Sequence, residues 1–186
     1  SDVAQACQSV LGQAVYSGGS IAFTPFYATS AGVTAASSDV WGGSYSYLVP
    51  VDSSVDERAN GYEKSVSLSA NEVAAKVKSA MKVDLYAYSD NPDDWFGIES
   101  YTEGEQYVKE IRVGDKTTSG RAFREQVMNL RSAAFDIDYD GSRFTFTTRG
   151  YGHGVGMSQN GANFYAKDGW SYTDILEHYY PGTQVQ

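Results

Sequence analysis

Arg149-Gly150-Tyr151-Gly152-His153-Gly154-Val155-Gly156-Met157-Ser158-Gln159 sets a single histidine among alternating glycines, just ahead of residues suited to starting a helix. An imidazole without bulky neighbours can donate, accept or bind a metal. Glycine at 150, 152, 154 and 156 permits positive φ and the close approach of another surface, at an entropic cost that a plain loop has little reason to bear repeatedly. The segment therefore reads as part of a site with His153 as its polar candidate. The other reading is that His153 pins the loop by bonding a backbone carbonyl. Ser158 and Gln159 fall where unpaired helix amides can hold an acetamido carbonyl or an anionic group, and Ser158 serves equally as an N-cap.

Other chemistries lack their residues. His153 and His178 are the only histidines, whereas a catalytic zinc takes three protein ligands. No HExxH is present, so neither a metal nor another cofactor is expected. His178, beside Tyr179 and Tyr180, reads as a packing residue. Gly154-Val-Gly-Met-Ser158 is not the Gly-x-Ser-x-Gly elbow of a serine nucleophile. Glycoside cleavage needs a carboxylic acid of raised pKa near the glycosidic oxygen. Glu99, Glu103 and Glu105 lie in a polar stretch, Glu63 and Glu72 near a helix start, and Glu177 in the last helix. None has an aromatic or glycine-rich setting, and no catalytic residue is nominated.

The elements that must position His153 are legible in part. Asp2 and Gln5 suit the start of a helix whose Val3, Cys7, Val10 and Leu11 share a face, which puts Cys7 in the core. Ser17-Gly18-Gly19-Ser20 reads as a tight hairpin between Ala14–Tyr16 and Ile21–Tyr27. From Thr29 to Leu48, including Val40-Trp41, glycine, hydroxyl and aromatic residues lack helical period and read as loops with short strands. Ser69-Ala-Asn-Glu72 is a capping box before a helix lined by Val73, Val77 and Met81. Asp90 to Asp94 is a turn, and Gln106 to Val113 a half-buried strand. Ser119 starts a helix carrying Phe123, Val127 and Leu130. Phe135, Ile137 and Tyr139 alternate with aspartates, and Asp140-Gly141 turns the chain into Arg143–Thr148. Ser158 caps a helix to about Lys167, and Ser171 to Asp174 opens the last one, closed by Pro181-Gly182. Hairpins clustered between helices indicate an α+β fold of antiparallel β-hairpins with short helices.

Composition narrows the partners. With 186 residues, 41% of them hydrophobic, the chain suits one globular domain spanning 1–186. A net charge of -9 without any Lys/Arg run argues against nucleic acid or an anionic membrane surface. The substrate is expected to be neutral. The 15 tyrosines suit stacking on sugar rings while bonding their hydroxyls, or simply residence in strands. One cysteine excludes an internal disulfide. No transmembrane segment is expected, since none of the sequence is apolar over about 18 residues. Ser1-Asp2-Val3 lacks an initiator methionine, so the chain reads as trimmed at its N-terminal side.

Gly152-His153-Gly-Val-Gly-Met157-Ser158-Gln159, Gly161-Ala162 and Ile175-Leu176-Glu-His-Tyr-Tyr180-Pro181-Gly182-Thr183 closely resemble the carboxyl end of the stage II sporulation protein D (SpoIID) family, which includes amidase enhancers of the LytB type. Phe26-Tyr27-Ala-Thr29-Ser30-Ala-Gly32-Val-Thr34, Val40-Trp41, Tyr47-Leu48 and Ser119-Gly120-Arg121 with Phe123-Arg124 are similar to its earlier segments. The resemblance runs from Val3 to the end. It implies a bacterial envelope protein, extracytoplasmic or secreted, and a lytic transglycosylase that cuts peptidoglycan between N-acetylmuramic acid and N-acetylglucosamine. One glutamate, acting as acid and then base, closes a 1,6-anhydro ring without metal. That glutamate belongs in the family to a segment ahead of an Ala-Ala-Arg-Thr-Tyr helix, and the match begins beyond it.

The resemblance therefore transfers no catalytic residue. It implies substrate-binding walls from Tyr27, Ser30, Trp41, His153, Met157, Ser158 and Gln159, with Met157 alternatively core and Trp41 alternatively a packing anchor. Two functions remain: most of a SpoIID-like transglycosylase domain, incomplete without its acid, or a glycan-binding module that positions peptidoglycan strands for a cell-wall amidase.

Overall fold

A computed structural model describes residues 2–186. In chain order, α1 (Asp2–Ser9) precedes β1 (Val15–Ser17), β2 (Ser20–Ile21) and β3 (Phe26–Tyr27). Then come α2 (Ser37–Trp41), a 3₁₀ turn (Ser54–Arg58), β4 (Glu63–Ser69), α3 (Ala70–Met81) and α4 (Leu85–Tyr88). A second 3₁₀ turn (Pro92–Asp94) opens β5 (Phe96–Tyr101), β6 (Val108–Val113), β7 (Lys116–Ser119) and α5 (Gly120–Ala122), which widens into a π-helical segment over Phe123–Met128. Finally come β8 (Phe135–Tyr139), β9 (Arg143–Arg149), β10 (Met157–Ser158), α6 (Gln159–Lys167), α7 (Tyr172–Tyr179) and β11 (Gln184–Val185). The architecture is α+β: antiparallel sheets ordered β11-β1-β2, β4-β9-β8 and β5-β6-β7, with a short parallel pair, β3 and β10.

The first core follows from local pattern. Ser69 Oγ accepts from the Glu72 amide at 3.3 Å while Glu72 Oε2 accepts from the Ser69 amide at 2.8 Å, so the capping box closes as read. It aims Val73 and Val77 of α3 fully inward. Asp140 Oδ1 accepts from the amides of Ser142 and Arg143, which shapes the hairpin that sets Ile137 opposite Phe146 and Tyr139 opposite Phe144. Phe144, Phe146 and Phe135 meet Phe123, Val127 and Trp95 in one apolar cluster. Each such ring removed from water stabilises the fold by about 1.5–3 kcal/mol.

The second core has a different chemistry. Ala31, Ala35, Ala134 and Val155 pack among Tyr47, Tyr107, Tyr165, Tyr179 and Tyr180, all buried. Each phenol is bonded. Tyr47 Oη accepts from the Phe23 amide, Tyr107 Oη accepts from the Ala31 amide, and Tyr180 Oη donates to the Pro25 carbonyl. Tyr165 Oη donates to Asp52 and Tyr179 Oη lies 2.6 Å from Ser53 Oγ. None of these five lies in a strand. A core in which helices α6 and α7 pack against loops carries loop backbone groups that no ladder satisfies, and a ring with a polar tip fills space and supplies the missing partner.

Three local expectations are corrected. Cys7 is exposed, and no residue of α1 is buried, so the apolar face of that helix lies open to solvent. Val40 and Trp41 end a short helix, which Gly42 closes at φ 77°. The Gly18-Gly19 hairpin forms as read, but its second strand stops at Ile21 and Phe26–Tyr27 leaves to pair in parallel with Met157–Ser158.

Candidate functional site

The glycine ribbon is laced onto residues 25–35. Phe26 pairs with Met157 and Tyr27 with Ser158. Thr29 and Tyr151 exchange backbone bonds of 3.0 and 2.8 Å, and the Ala35 amide donates to the Gly154 carbonyl at 2.8 Å. All four ribbon glycines have positive φ. A Cβ on Gly150 would sit 2.6 Å from the Thr29 carbonyl oxygen, on Gly152 2.6 Å from Tyr27 Cβ, on Gly154 2.7 Å from the Tyr107 ring, and on Gly156 2.2 Å from the Pro25 carbonyl oxygen. The surface that approaches this ribbon so closely is the protein's own: residues 25–30 at Gly150, Gly152 and Gly156, and the Tyr107 ring at Gly154.

That lacing fixes His153. Its Nε2 lies 3.0 Å from the Phe26 carbonyl, and the Val155 amide donates to its Nδ1 at 3.2 Å. A carbonyl only accepts and an amide only donates, so the ring is the neutral Nε2–H tautomer. Its centroid stands 5.2 Å from Tyr27 and 5.0 Å from Trp41. Both nitrogens are thus engaged by backbone, and the imidazole wedges the buried tyrosine apart from the half-buried tryptophan.

Burial holds the His153 pKa below its ordinary value, against the Phe26 bond and with help from Arg124. The unfolded chain takes up its proton as pH falls through about 6.5; the folded ring resists. Between the folded value and 6.5 the unfolded state binds more protons, so stability rises with pH across that window. The contribution is complete above it and lost below. Protonation of Nδ1 would also set one N–H against another. We expect His153→Gln, which keeps a donor for Phe26, to flatten the rise in melting temperature between pH 5 and 7; an unchanged slope would remove His153 as its source.

Behind the ribbon lies a polar knot. Ser158 Oγ donates to Asp56 Oδ1 at 2.6 Å while accepting from the amides of Gly161 and Ser30 at 3.1 and 3.3 Å. Ser53 Oγ donates to Asp56 Oδ2 at 2.6 Å and contacts Tyr179 Oη. Asp56, Ser53 and Ser158 are all inaccessible to solvent. Burial pushes the Asp56 carboxyl up, opposed by the two hydroxyl bonds. The knot ties the 3₁₀ turn over Ser54–Arg58 to α6 and α7. Pairs of buried polar groups of this kind stabilise only when every member is satisfied.

No family model matches the chain. Among curated proteins, it is similar to stage II sporulation protein D of Bacillus subtilis (strain 168), 37% identical over 160 residues that make up 86% of this chain and 44% of that protein. The protein of the same name from Bacillus amyloliquefaciens is 35% identical over the same shares. The amidase enhancer of Bacillus subtilis (strain 168) is 46% identical over 56 residues, 30% of this chain and 8% of that protein. This chain belongs to the stage II sporulation protein D family. It spans less than half the length of the sporulation proteins it matches.

In this family member the residues singled out from sequence fall into two layers. Trp41 and His153 are half-buried and Gln159 is exposed, so these three reach the surface. Tyr27, Ser30 and Ser158 are buried behind them, and Met157 is half-buried against the second core. Tyr27 Oη and Ser30 Oγ have no hydrogen-bond partner among the described residues, and burial raises the Tyr27 pKa well above its ordinary value. The helix-start amides of Asn160 and Gly161 already donate to the Ala28 carbonyl and Ser158 Oγ.

Beside His153, a shallow cleft is lined by Asp39, Thr102, Lys109, Arg121 and Arg124. Its charges are largely paired: Lys109 meets Asp39 at 2.7 Å, and Arg121 and Arg124 share Glu125 at 3.3 and 3.2 Å. Burial alone would raise the Asp39 carboxyl, but the Lys109 ammonium and the Glu103 amide hold it below its ordinary value. Asp56, whose pKa is raised, is sealed. Neither combines a raised pKa with access to solvent. Sequence reasoning missed Asp56 and Tyr107: an aspartate in a short acidic turn and a tyrosine beside a strand carry no local signal of the contacts they make.

Proposed function

We propose that this chain binds peptidoglycan glycan strands along a trough whose surface is Trp41, His153 and Gln159, as the larger part of a lytic transglycosylase domain of the stage II sporulation protein D type. The observation that carries the reading is the half-buried indole of Trp41 held 5.0 Å from the His153 ring, an apolar face backed by a fixed polar wall in a chain of net charge -9. A flat aromatic face held in a fixed orientation suits the apolar face of a neutral sugar ring. Tyr27, Ser30, Met157 and Ser158 keep that wall in place, and His153 positions Trp41. Such a substrate places the protein outside the cytoplasmic membrane, in the cell envelope or secreted.

The test is titration calorimetry of the chain with soluble, peptide-free glycan strands. Saturable binding is expected, and Trp41→Ala should weaken it by at least about tenfold, the scale of an aromatic anchor. A wild-type chain that takes up no glycan ends the reading.

A second reading is favoured by two observations. Asp56, whose carboxyl burial raises, is sealed from the surface, and an amidase enhancer matches part of the chain. In that reading the chain positions strands for a cell-wall amidase and cuts nothing. Incubation with stripped strands separates the two: 1,6-anhydro-muramoyl ends from the whole protein support the transglycosylase, and stimulation of an amidase without such ends supports the module. No helix among the described residues is long and apolar enough to cross a membrane.

A further inference from the structure

Beyond Trp41 the aromatic series continues outward. Phe23 stands 6.3 Å from Trp41, Tyr45 5.8 Å from Phe23, and Tyr47 5.7 Å from Tyr45, centroid to centroid. Phe23 is 52% and Tyr45 43% exposed. Single exposed aromatics need no explanation, but several in series do. Both are also rigidly carried. The Phe23 amide donates to the buried Tyr47 hydroxyl at 2.9 Å, and the Tyr45 amide donates to the buried Ser37 hydroxyl at 3.3 Å. Rings displayed on a fixed backbone lose little entropy when something settles on them.

We infer that Phe23 and Tyr45 form, with Trp41, a platform on which a β-1,4-linked amino-sugar strand continues past the His153 trough. The inference rests on the glycan reading above and adds an extended subsite to it. A sugar strand fits better than a protein partner because Gly42, Gly43, Ser44 and Ser46 around the rings are exposed and small. They leave ring faces open and offer hydroxyls and amides where a protein interface would need an apolar rim. The tilts of 53° and 43° between neighbouring rings present successive faces rather than one flush patch. The acidity of the chain disfavours a phosphate polymer.

The experiment measures affinity for N-acetylglucosamine oligomers from disaccharide to hexasaccharide and for peptide-free glycan strands, in the wild type, Phe23→Ala/Tyr45→Ala and Trp41→Ala. Wild-type affinity should grow with oligomer length. The double variant should match the wild type on the disaccharide yet lose about tenfold on the hexasaccharide, the scale of two stacking contacts. Trp41→Ala should lose both.

A wild type that binds strands and a double variant that binds them equally well would overturn the platform and leave the trough intact. No wild-type binding to any ligand would remove both. Self-association in sedimentation that the double variant abolishes, with glycan affinity unchanged, would make the rings a protein contact and also overturn the inference. Phe23→Ser and Tyr45→Ser, measured singly, carry the same test if the double variant melts early.

Discussion

Asp56→Ala is expected to cost the fold about 3 kcal/mol or more, a fall in melting temperature of about 6–12 °C for a chain of this size. The carboxylate accepts 2.6 Å bonds from Ser158 and Ser53 with no access to water. Alanine leaves both hydroxyls, and through Ser53 the Tyr179 hydroxyl, with unmet bonds in a dry interior. The loss exceeds that of any one bond because the cavity is polar and too tightly packed to collapse. A Cβ on Gly161 would already lie 2.6 Å from Asp56 Oδ2 and 2.0 Å from Tyr179 Oη. Asp56→Asn keeps the shape but points an amide donor at a hydroxyl donor, and should fall between alanine and wild type. Equilibrium urea unfolding checks the order. A loss below about 1 kcal/mol for alanine, the scale of one ordinary hydrogen bond, would mean the knot is not what holds α6 and α7 to the 3₁₀ turn.

Gly156→Ala is the second large effect, and Gly169→Ala is its control. Both positions have positive φ, 76° and 97°. The backbone strain of an L-residue there, about 1 kcal/mol or somewhat more, is common to the two. A Cβ at 169 meets nothing, whereas at 156 it meets the Pro25 carbonyl oxygen at 2.2 Å, a backbone atom that cannot swing aside. The excess for Gly156→Ala is expected at about 2 kcal/mol beyond the control, as in overpacked cores. Because the strain falls where β3 meets β10, glycan affinity should drop with it, while Gly169→Ala should bind as the wild type does. Equal losses at the two sites would show that φ alone matters and that the ribbon has room to move.

The parts of this fold that were legible in the sequence are those governed by near neighbours. The Ser69–Glu72 capping box, the Asp140-Gly141 hairpin and the Ser158 cap each depend on residues within a few positions, and each forms as read. Tertiary contact decided the remainder. Cys7 has the spacing of a buried helix face, but no residue of α1 is buried. Trp41 sits in one helical turn too short to show a period.

The alternating glycines do mark close approach, but what approaches is Pro25, Tyr27, Thr29 and Tyr107. Spacing reports that room is needed; it does not report what takes it. By composition the tyrosines suit sugar platforms or strands. Five of them instead bond loop backbone or loop side chains in the second core, a role with no periodic signature. Asp56 shows the same limit from the side of charge, since an aspartate in a short turn ordinarily faces water.

The lacing of residues 25–35 onto 150–160 also sets an order of events. Ser30 bonds Ser158 across 128 positions, and Tyr180 bonds Pro25 across 155, while β1 finds one of its two partner strands only in Gln184–Val185. The α3 and β8–β9 cluster can form without these contacts, whereas residues 15–35 are held only once residues 157–185 are present. Contacts of such long reach close slowly. The face that carries Trp41 and His153 is then among the last parts of this domain to be assembled, because neither of the two backbone segments that build it is held until the other is present.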